Sequence, residues 1–464
     1  MHIDTLMLSR IQFGFTIGFH ILFPALNLGL ALFLCVMEGI WVKTRNPLYL
    51  QICKFWTKIF ALTFGMGVVS GIVLSYELGT NFGPFIKAVG GVLGPLFGYE
   101  VLSAFFLEAG FLGIMLFGWD RVSPKLHYAA TLLVMIGTTI SAFWIMSANS
   151  WMQFPTGFEI IDGKYVVTDW FQVVFNPTFM PRFIHMLFAS YVTTCFVVAG
   201  VAAWHLLKQQ HMEISKRCFN FALTAALILT PAQIIIGDVV GLRIGHHQPM
   251  KVAAMEGLWE TTKGAPLVLF ALPDTKTETN RYEISIPYLA SLINTHQLEG
   301  ELVGLKSVPA AERPIVNSVF FNFRIMVGIG FLLMGVAMYA TILRWRKRLY
   351  DQKWFLQLCV LLSPIGFIAT IAGWMVAESG RQPWTVYGLI RTAEAGSDVP
   401  ASQVMTSLTV FIIVYGIVFS FYLFYLFAVI RKGPPSVTEK LQLETGDIAQ
   451  PFHYMGAESE ELKK

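Results

Sequence analysis

Long apolar segments alternate with short polar connections along most of the chain. Nine of these segments carry few charges and run for about twenty residues or more, which is the length a helix needs to cross the hydrocarbon core of a bilayer. They lie near residues 12–37, 56–79, 93–118, 127–149, 183–207, 219–241, 317–343, 354–378 and 404–430. The pattern predicts an all-α integral membrane protein with nine transmembrane helices in a bundle.

Basic residues are distributed unevenly among the connections. They cluster after spans one, three, five and seven, where the densest run is "RWRKRLYDQK", and they are sparse in the alternate connections. By the positive-inside rule, the N-terminus lies outside and the C-terminus lies in the cytoplasm. An odd number of spans also requires the two ends to be on opposite sides.

The spans divide the chain into four regions. Residues 1–241 hold spans one to six, and residues 317–432 hold spans seven to nine. Between them, residues 242–316 form a long extracytoplasmic connection whose mixture of aromatic, charged and apolar residues predicts a folded cap. Residues 433–464 have the composition of a mobile cytoplasmic tail. We find no internal repeat, which argues against an inverted-repeat transporter.

Composition supports the membrane assignment. The chain is 55% hydrophobic and only 13% charged, and its mean hydropathy is +0.60, which excludes a soluble protein of this size and gives no indication of a nucleic-acid partner. The five cysteines form no CxxC pair, so neither a disulfide framework nor a thiolate metal site is expected.

Four potential metal ligands share one depth in the predicted membrane. His20, His185, Met326 and Glu378 come from four different spans and all fall in the outer half. Imidazole and thioether form the axial pair of a low-spin haem, and a single histidine or carboxylate can hold an iron with one open face. The pattern is compatible with haem in a helical bundle. The alternative is that the histidines bond neighbouring helices and the methionine is packing.

Charged groups accompany these residues. Arg324 lies two positions before the methionine and needs an anionic partner at that depth, such as a haem propionate. The stretch "GWMVAESGRQPW" places Glu378, Arg381 and Gln382 close to Trp374. An ionisable group inside a membrane costs roughly 2.5 to 3.5 kcal/mol on insertion scales, so each of these is a candidate for function.

Two further sets of polar residues suggest chemistry. Glu100 and Glu108 are eight residues apart in the third span, an arrangement that suits proton relay, with Ser141 of the fourth span as a weaker candidate for the same path. Structural hydrogen bonds between helices are the alternative. In the long outer connection, Lys251 and Glu256 could bond a ring bearing two oxygens, unless this is an ordinary solvated loop.

These motifs resemble a known family. "GWMVAESGRQPW" resembles the GWxxxExGRQPW signature of subunit I of cytochrome bd-type quinol oxidases. Further motifs appear in family order up to about residue 430: "GTNF", "YE…FFLE", "FGWDR", "SAFWIMSANSWMQ", "RFIH", "QPMKVAAMEGLWET" and "FRIM". The outer connection is similar to that of the short-loop branch, which includes the cyanide-insensitive oxidases.

The resemblance implies three haems. His185 and Met326 match the ligands of the low-spin haem b. His20 and Glu378 match the ligands of a high-spin haem b and of the oxygen-reducing haem, which is haem d or a further haem b in its place. The resemblance leaves open which of these two residues serves which haem.

The same resemblance implies roles for the surrounding residues. Arg324 matches a residue beside the haems, Arg381 and Gln382 a polar cluster around Glu378, and Trp374 an aromatic near the electron path. It also implies a proton channel, matched by Glu100 and Glu108, and a quinol-oxidising loop, matched by Lys251 and Glu256.

The implied protein is a terminal oxidase of the bacterial cytoplasmic (inner) membrane. It would oxidise quinol outside and reduce dioxygen to water with cytoplasmic protons, generating a proton motive force without pumping. It would act with a hydrophobic subunit II, with small single-span subunits as a further option. Ubiquinol and menaquinol are both open. The rival hypothesis is a haem-free, proton-coupled transporter using the same buried glutamates and arginines.

Overall fold

The computed structural model describes residues 4–434, so most of the predicted cytoplasmic tail lies outside the described residues. The helices are α1 Thr5–His20, α2 Leu22–Thr44, α3 Pro47–Asn81, α4 Gly83–Glu100, α5 Phe106–Phe117, α6 Pro124–Gln153, α7 Trp170–Val174, α8 Phe179–Leu207, α9 Met212–His247, α10 Pro249–Glu256, α11 Leu289–Thr295, α12 Val316–Trp345, α13 Lys353–Leu361, α14 Ile365–Ser379, α15 Thr392–Ala395 and α16 Ala401–Lys432. The strands are β1 Phe158–Ile161, β2 Lys164–Val167, β3 Thr262–Lys263, β4 Leu267–Asp274, β5 Thr279–Ile286, β6 Glu301–Leu302, β7 Trp384–Val386 and β8 Ile390–Arg391.

Nine long apolar helical segments within the described residues confirm the predicted spans. The first is α1 with α2, the third α4 with α5, the fifth α7 with α8, and the eighth α13 with α14. Most helices extend beyond the predicted apolar stretch, because polar turns continue the backbone hydrogen bonding outside it. The sixth span, for example, continues to His247, past the predicted boundary at residue 241.

Helix α1 ends at His20 for a reason that is visible in the sequence. Pro24 has no N–H to donate to the carbonyl of His20, four residues earlier, and the helix is interrupted at Ile21 before α2 begins. The interruption places a candidate ligand at a helix end. In the eighth span Pro364 similarly lies in the turn between α13 and α14.

Apolar packing concentrates at one end of the bundle. The largest cluster of buried side chains joins α2, α3, α8, α9, α12 and α13. It lies toward the end marked by the basic connection after α12, which is the predicted cytoplasmic end. The other end therefore holds most of the polar candidates.

The long connection between α9 and α12 is folded. It contains α10, an antiparallel hairpin of β4 and β5, α11, and a short pairing of β3 with β6. Helix α10 packs against α9 and α12, which places it directly over the polar end of the bundle.

Candidate functional site

Glu378, at the end of α14, is the centre of a polar cluster. Its Oε1 accepts hydrogen bonds from Asn149 Nδ2 at 3.0 Å and Gln153 Nε2 at 3.4 Å, and its Oε2 accepts from the guanidinium of Arg381. Asn149 in turn accepts from Arg182 Nη2 at 2.5 Å. Two guanidinium groups beside one carboxylate leave the cluster with an excess of positive charge.

Several buried N–H groups around this carboxylate have no hydrogen-bond acceptor. They are Arg182 Nη1, Arg381 Nε and Nη1, and the indole Nε1 of Trp374. A buried donor without a partner costs about 1–3 kcal/mol, so several in one place indicate a missing acceptor. Propionate oxygens of a porphyrin have the charge and geometry that guanidinium groups prefer.

Lys251 joins this cluster from α10. Its side chain is 3% exposed, and its Nζ donates to Gln153 Oε1 at 2.7 Å. Its methylenes lie against Gly380, where an added Cβ would be 2.7 Å from Lys251 Cγ. Burial, reinforced by the charge of Arg182, lowers the pKa of Lys251 well below its usual range. The predicted quinol-loop lysine therefore lies next to the Glu378 cluster.

Glu256 lies on another face of the same helix. Residues five apart on an α-helix are about 140° apart around the axis, so Glu256 and Lys251 point in different directions. Glu256 Oε1 accepts from Asn294 Nδ2 at 3.0 Å, and its Oε2 has no partner. Burial raises the pKa of this carboxyl group. The indole of Trp259, near the same helix, donates to Asn280 Oδ1 at 2.9 Å.

Arg324 is bonded to neutral acceptors. Its Nη1 donates to the carbonyls of Met255 at 2.7 Å and Phe320 at 3.0 Å, and its Nε donates to Val268 at 3.0 Å. The bonded atoms are all backbone oxygens, and the carboxyl group of Glu256 interacts with Arg324 through its charge. In this position the guanidinium fastens α10 and β4 to α12.

His20 is oriented by a hydroxyl group. Its Nδ1 lies 2.9 Å from Ser70 Oγ, and that hydroxyl donates its single hydrogen to the carbonyl of Met66 at 2.8 Å. With the hydroxyl hydrogen on Met66, Ser70 Oγ accepts from Nδ1–H, and Nε2 keeps a free lone pair. This is the tautomer that a histidine needs to ligate iron through Nε2.

His185 and Met326 lie at two other helix contacts. His185 Nε2 is 3.3 Å from the side-chain nitrogen of Gln233 on α9, and its Nδ1 is buried without a partner. Met326 Sδ lies against Gly373 of α14, where an added Cβ would be 2.9 Å from the sulfur.

A glycine faces each of these three helix-borne residues. Gly71 lies opposite His20, Gly237 opposite His185 and Gly373 opposite Met326, and an added Cβ would crowd the facing side chain in each case. Glycine at such positions keeps the neighbouring backbone clear of a bulky group.

The chemistry of these residues fits haem. No group of three or more His, Cys, Asp or Glu side chains that could hold a metal comes together within residues 4–434. Single axial donors on separate helices suit an iron whose equatorial ligands come from a porphyrin. The unpaired guanidinium nitrogens suit its acidic groups.

The two carboxylates of the third span both face α6. Glu100 Oε1 accepts from Ser141 Oγ at 2.7 Å. Glu108 packs on Gly137, where an added Cβ would be 2.6 Å from its Cγ, and Glu108 Oε1 is buried without a partner. Gly137 and Ser141 are four residues apart and share one face of α6.

A π-helical turn explains how the two carboxylates share a face. Residues eight apart in a regular α-helix are about 80° out of phase. A π-helical turn, Val101–Phe105, lies between Glu100 and Glu108 and turns less per residue than an α-helix. It brings the second carboxylate back toward the face of the first.

The remaining predicted residues lie at the edge of the cluster. Gln382 Oε1 accepts from Arg10 Nη2 at 3.2 Å and from Thr392 Oγ1 at 2.9 Å, which links it to α1 rather than to Glu378. Trp374 packs with Phe179 and neighbouring apolar side chains. Asn149, Gln153 and Arg182 also belong to the cluster; they were not predicted as site residues, although the motifs that carried the resemblance contain them.

Comparison with known proteins identifies a family. Residues 8–434 match the family "Cytochrome bd terminal oxidase subunit I". The chain is 37% identical to cytochrome bd ubiquinol oxidase subunit 1 of Bacillus subtilis, covering 92% of this chain and 94% of the relative. It is 31% identical to cytochrome bd-II ubiquinol oxidase subunit 1 of Escherichia coli, covering 89% and 93%.

A solved structure has the same fold. The bd oxidase from Geobacillus thermodenitrificans superposes with a TM-score of 0.87 at 32% identity, covering 93% of this chain and 99% of that one. Together with the nine apolar helices of the described residues, these relatives identify a multi-pass protein of the bacterial inner membrane. The chain belongs to the cytochrome bd terminal oxidase subunit I family.

Proposed function

We propose that this chain is the quinol-oxidising and oxygen-reducing subunit of a terminal respiratory oxidase. Two quinols are oxidised to quinones, and their four electrons with four protons reduce one dioxygen to two waters. The observation that carries the proposal is the buried cluster that links Lys251 of α10 to Glu378 of α14 through Gln153. It joins a loop suited to a quinol headgroup with a carboxylate suited to iron.

Four side chains would hold the iron of the haems. His185 and Met326 would hold a low-spin haem b, while His20 and Glu378 would hold a high-spin haem b and a haem d, or a further haem b in its place. When bound, the haems pass electrons singly from quinol to dioxygen. The protein orients His20 through Ser70 and supplies unpaired guanidinium nitrogens for the acidic groups.

The quinol site is assigned to the folded connection. Lys251 uses one of its hydrogens on Gln153 and keeps the others for a quinol oxygen. Glu256 has an unpartnered Oε2 that can accept a quinol proton, and Trp259 borders the site. The two ionisable residues lie on different faces of α10, so each serves a different oxygen of the ring.

Protons for water formation enter from the cytoplasmic end. Glu108, with its unpartnered oxygen, passes a proton toward Glu100 and Ser141 along one face of α6. Quinol protons leave on the outer side, and the charge separation arises without pumping. This direction rests on an outer N-terminus and a cytoplasmic C-terminus, which the distribution of basic residues supports.

The functional unit includes other chains. The family works with a second hydrophobic subunit, subunit II, and we assign one to this chain, with small single-span subunits as a further option. The large apolar side chains exposed on the third span, such as Leu102 and Phe106, are compatible with a lipid or protein neighbour.

A reduced-minus-oxidised absorption spectrum of the purified complex tests the proposal. We expect strong haem bands that extend into the red if haem d is present. Met326→Leu should remove the low-spin component, and Lys251→Ala should sharply lower quinol oxidation with the haems retained. Lys276→Ala, at an exposed lysine of the same connection, is the matched control and should change neither. A folded, colourless complex would overturn the proposal in favour of a proton-coupled transporter.

A further inference from the structure

Gln153, the last residue of α6, lies between the two candidate sites. Its side chain is 4% exposed, and both ends of its amide are used. The Oε1 atom accepts from Lys251 Nζ at 2.7 Å and from Gln248 Nε2 at 3.2 Å. The Nε2 atom donates to the carbonyl of Ala377 at 3.3 Å and to Glu378 Oε1 at 3.4 Å. One neutral side chain therefore touches both the α10 lysine and the α14 carboxylate.

An amide is suited to this place. Lys251 contributes N–H donors, and the carboxylate of Glu378 contributes acceptors. A direct contact between the two would compete with the roles of both. The amide of Gln153 satisfies the lysine with its oxygen and the carboxylate with its nitrogen, and it keeps them apart.

The backbone of Gln153 adds a second connection. Its carbonyl accepts from Gln248 Nε2 at 2.7 Å, immediately before the first residue of α10. The side-chain and main-chain contacts together fix both the start of α10 and the ammonium group one turn later.

We propose that Gln153 is a positioning residue that holds Lys251 in the quinol site and couples that site to the carboxylate of Glu378. The inference rests on the proposed function, because it takes Lys251 as a quinol contact and Glu378 as an iron ligand. It predicts that one substitution at Gln153 changes both quinol affinity and the surroundings of the Glu378 haem.

The test uses the complete, haem-loaded complex with a short-chain quinol. Gln153→Met keeps the length of the side chain but makes neither hydrogen bond. We expect KM for quinol to rise tenfold or more with kcat within about twofold, since a hydrogen bond to a charged group is lost. The absorption band of the Glu378 haem should shift at unchanged haem content.

A double-mutant cycle separates positioning from general damage. If Gln153 acts through Lys251, the KM effects of Gln153→Met and Lys251→Met should not add in the double variant. Gln12→Met is the matched control: Gln12 is 2% exposed and bonds Asn81 and Ser407 away from the cluster. It should leave KM and the band unchanged. Additive KM effects, or a KM rise equal to that of Gln12→Met, would overturn the inference.

Gln153→Glu is the second variant, to be used if the complex with Gln153→Met does not assemble. The carboxylate still accepts from Lys251 but places a negative charge beside Glu378. KM should stay near that of the parent, and the midpoint potential of the Glu378 haem should fall. An unchanged potential would overturn the inference while leaving the proposed function intact, whereas a complex without haem would refute the proposed function itself.

Discussion

Glu378 and the two carboxylates of the third span differ in how their oxygens are bonded. Both oxygens of Glu378 accept hydrogen bonds, from donors on α6 and from Arg381. A second guanidinium, that of Arg182, reaches Glu378 through Asn149. In the third span, Glu100 accepts a single hydroxyl hydrogen bond and Glu108 has an oxygen with no partner. A carboxylate whose two oxygens are held by cationic and amide donors has a fixed orientation, which suits a ligand for iron. A carboxyl group with an unpartnered oxygen has an atom free to accept or pass a proton, which a relay requires.

Replacing Glu378 tests the first half of this comparison and should have the largest effect. Glu378→Ala removes the proposed iron ligand and leaves Arg381 and Arg182 as uncompensated buried cations. We expect the haem that Glu378 holds to be lost and quinol oxidase activity to fall by more than about a hundredfold. Removing even a residue that only supports a metal ligand typically lowers metal affinity or activity by roughly 10- to 100-fold. Haem extraction and the absorption spectrum measure this outcome.

Glu301→Ala, at an exposed residue of β6, is the control and should retain all haem. If Glu378→Ala keeps the full haem content and spectrum, the ion pairs around Glu378 are structural and the contrast between the two groups disappears.

Glu108→Gln tests the second half. The amide preserves the size of the side chain but cannot carry a proton, so turnover should fall by roughly 10²-fold, the lower end of the range for a proton-transferring group. KM for quinol and the haem spectrum should stay unchanged, because Glu108 contacts neither site. Oxygen consumption by the reconstituted complex gives the rate, with the exposed Glu159→Gln as control. A spectral change equal to that of Glu378→Ala would place Glu108 among the haem contacts instead.

The pH dependence of quinol oxidation tests the role of Glu256 in the folded connection, independently of Glu378 and of the carboxylates of the third span. Burial raises the pKa of Glu256, so its carboxyl group is already protonated at a pH where an exposed glutamate is ionised. Because the ionised form accepts the quinol proton, kcat/KM should fall as the pH is lowered through this raised pKa. Glu256→Gln should lower kcat/KM about tenfold and remove that acidic limb. An acidic limb that persists in the variant would assign it to another group.

Apolar length was enough to predict the nine spans, because each must cross the same hydrocarbon thickness. It could not predict the π-helical turn after Glu100, which packs against α6. The interruption at Ile21 could have been predicted from Pro24. The different directions of Lys251 and Glu256 also follow from their spacing, once α10 is known to be helical.

The unpredicted part of the site is its set of neutral partners. Asn149 and Gln153 are single polar residues near a helix end, a pattern that is common in any membrane protein. Their spacing of four residues places them on one face of α6, but nothing in the sequence indicates that α14 lies opposite. Contacts between α6 and α14 are set by the packing of helices far apart in the sequence, which the periodicity within one helix cannot predict.

Ser141→Ala should have the smallest effect, and it tests whether the hydroxyl group carries a proton or only supports Glu100. It removes the single hydroxyl bond to Glu100 Oε1, which is worth about 1 kcal/mol, so turnover should fall about fivefold with haem content and KM unchanged. The exposed Ser402→Ala on α16 is the matched control. A loss as large as that of Glu108→Gln would mean that the hydroxyl itself carries the proton, because a group that only supports Glu100 leaves the carboxylate in place to accept protons from water.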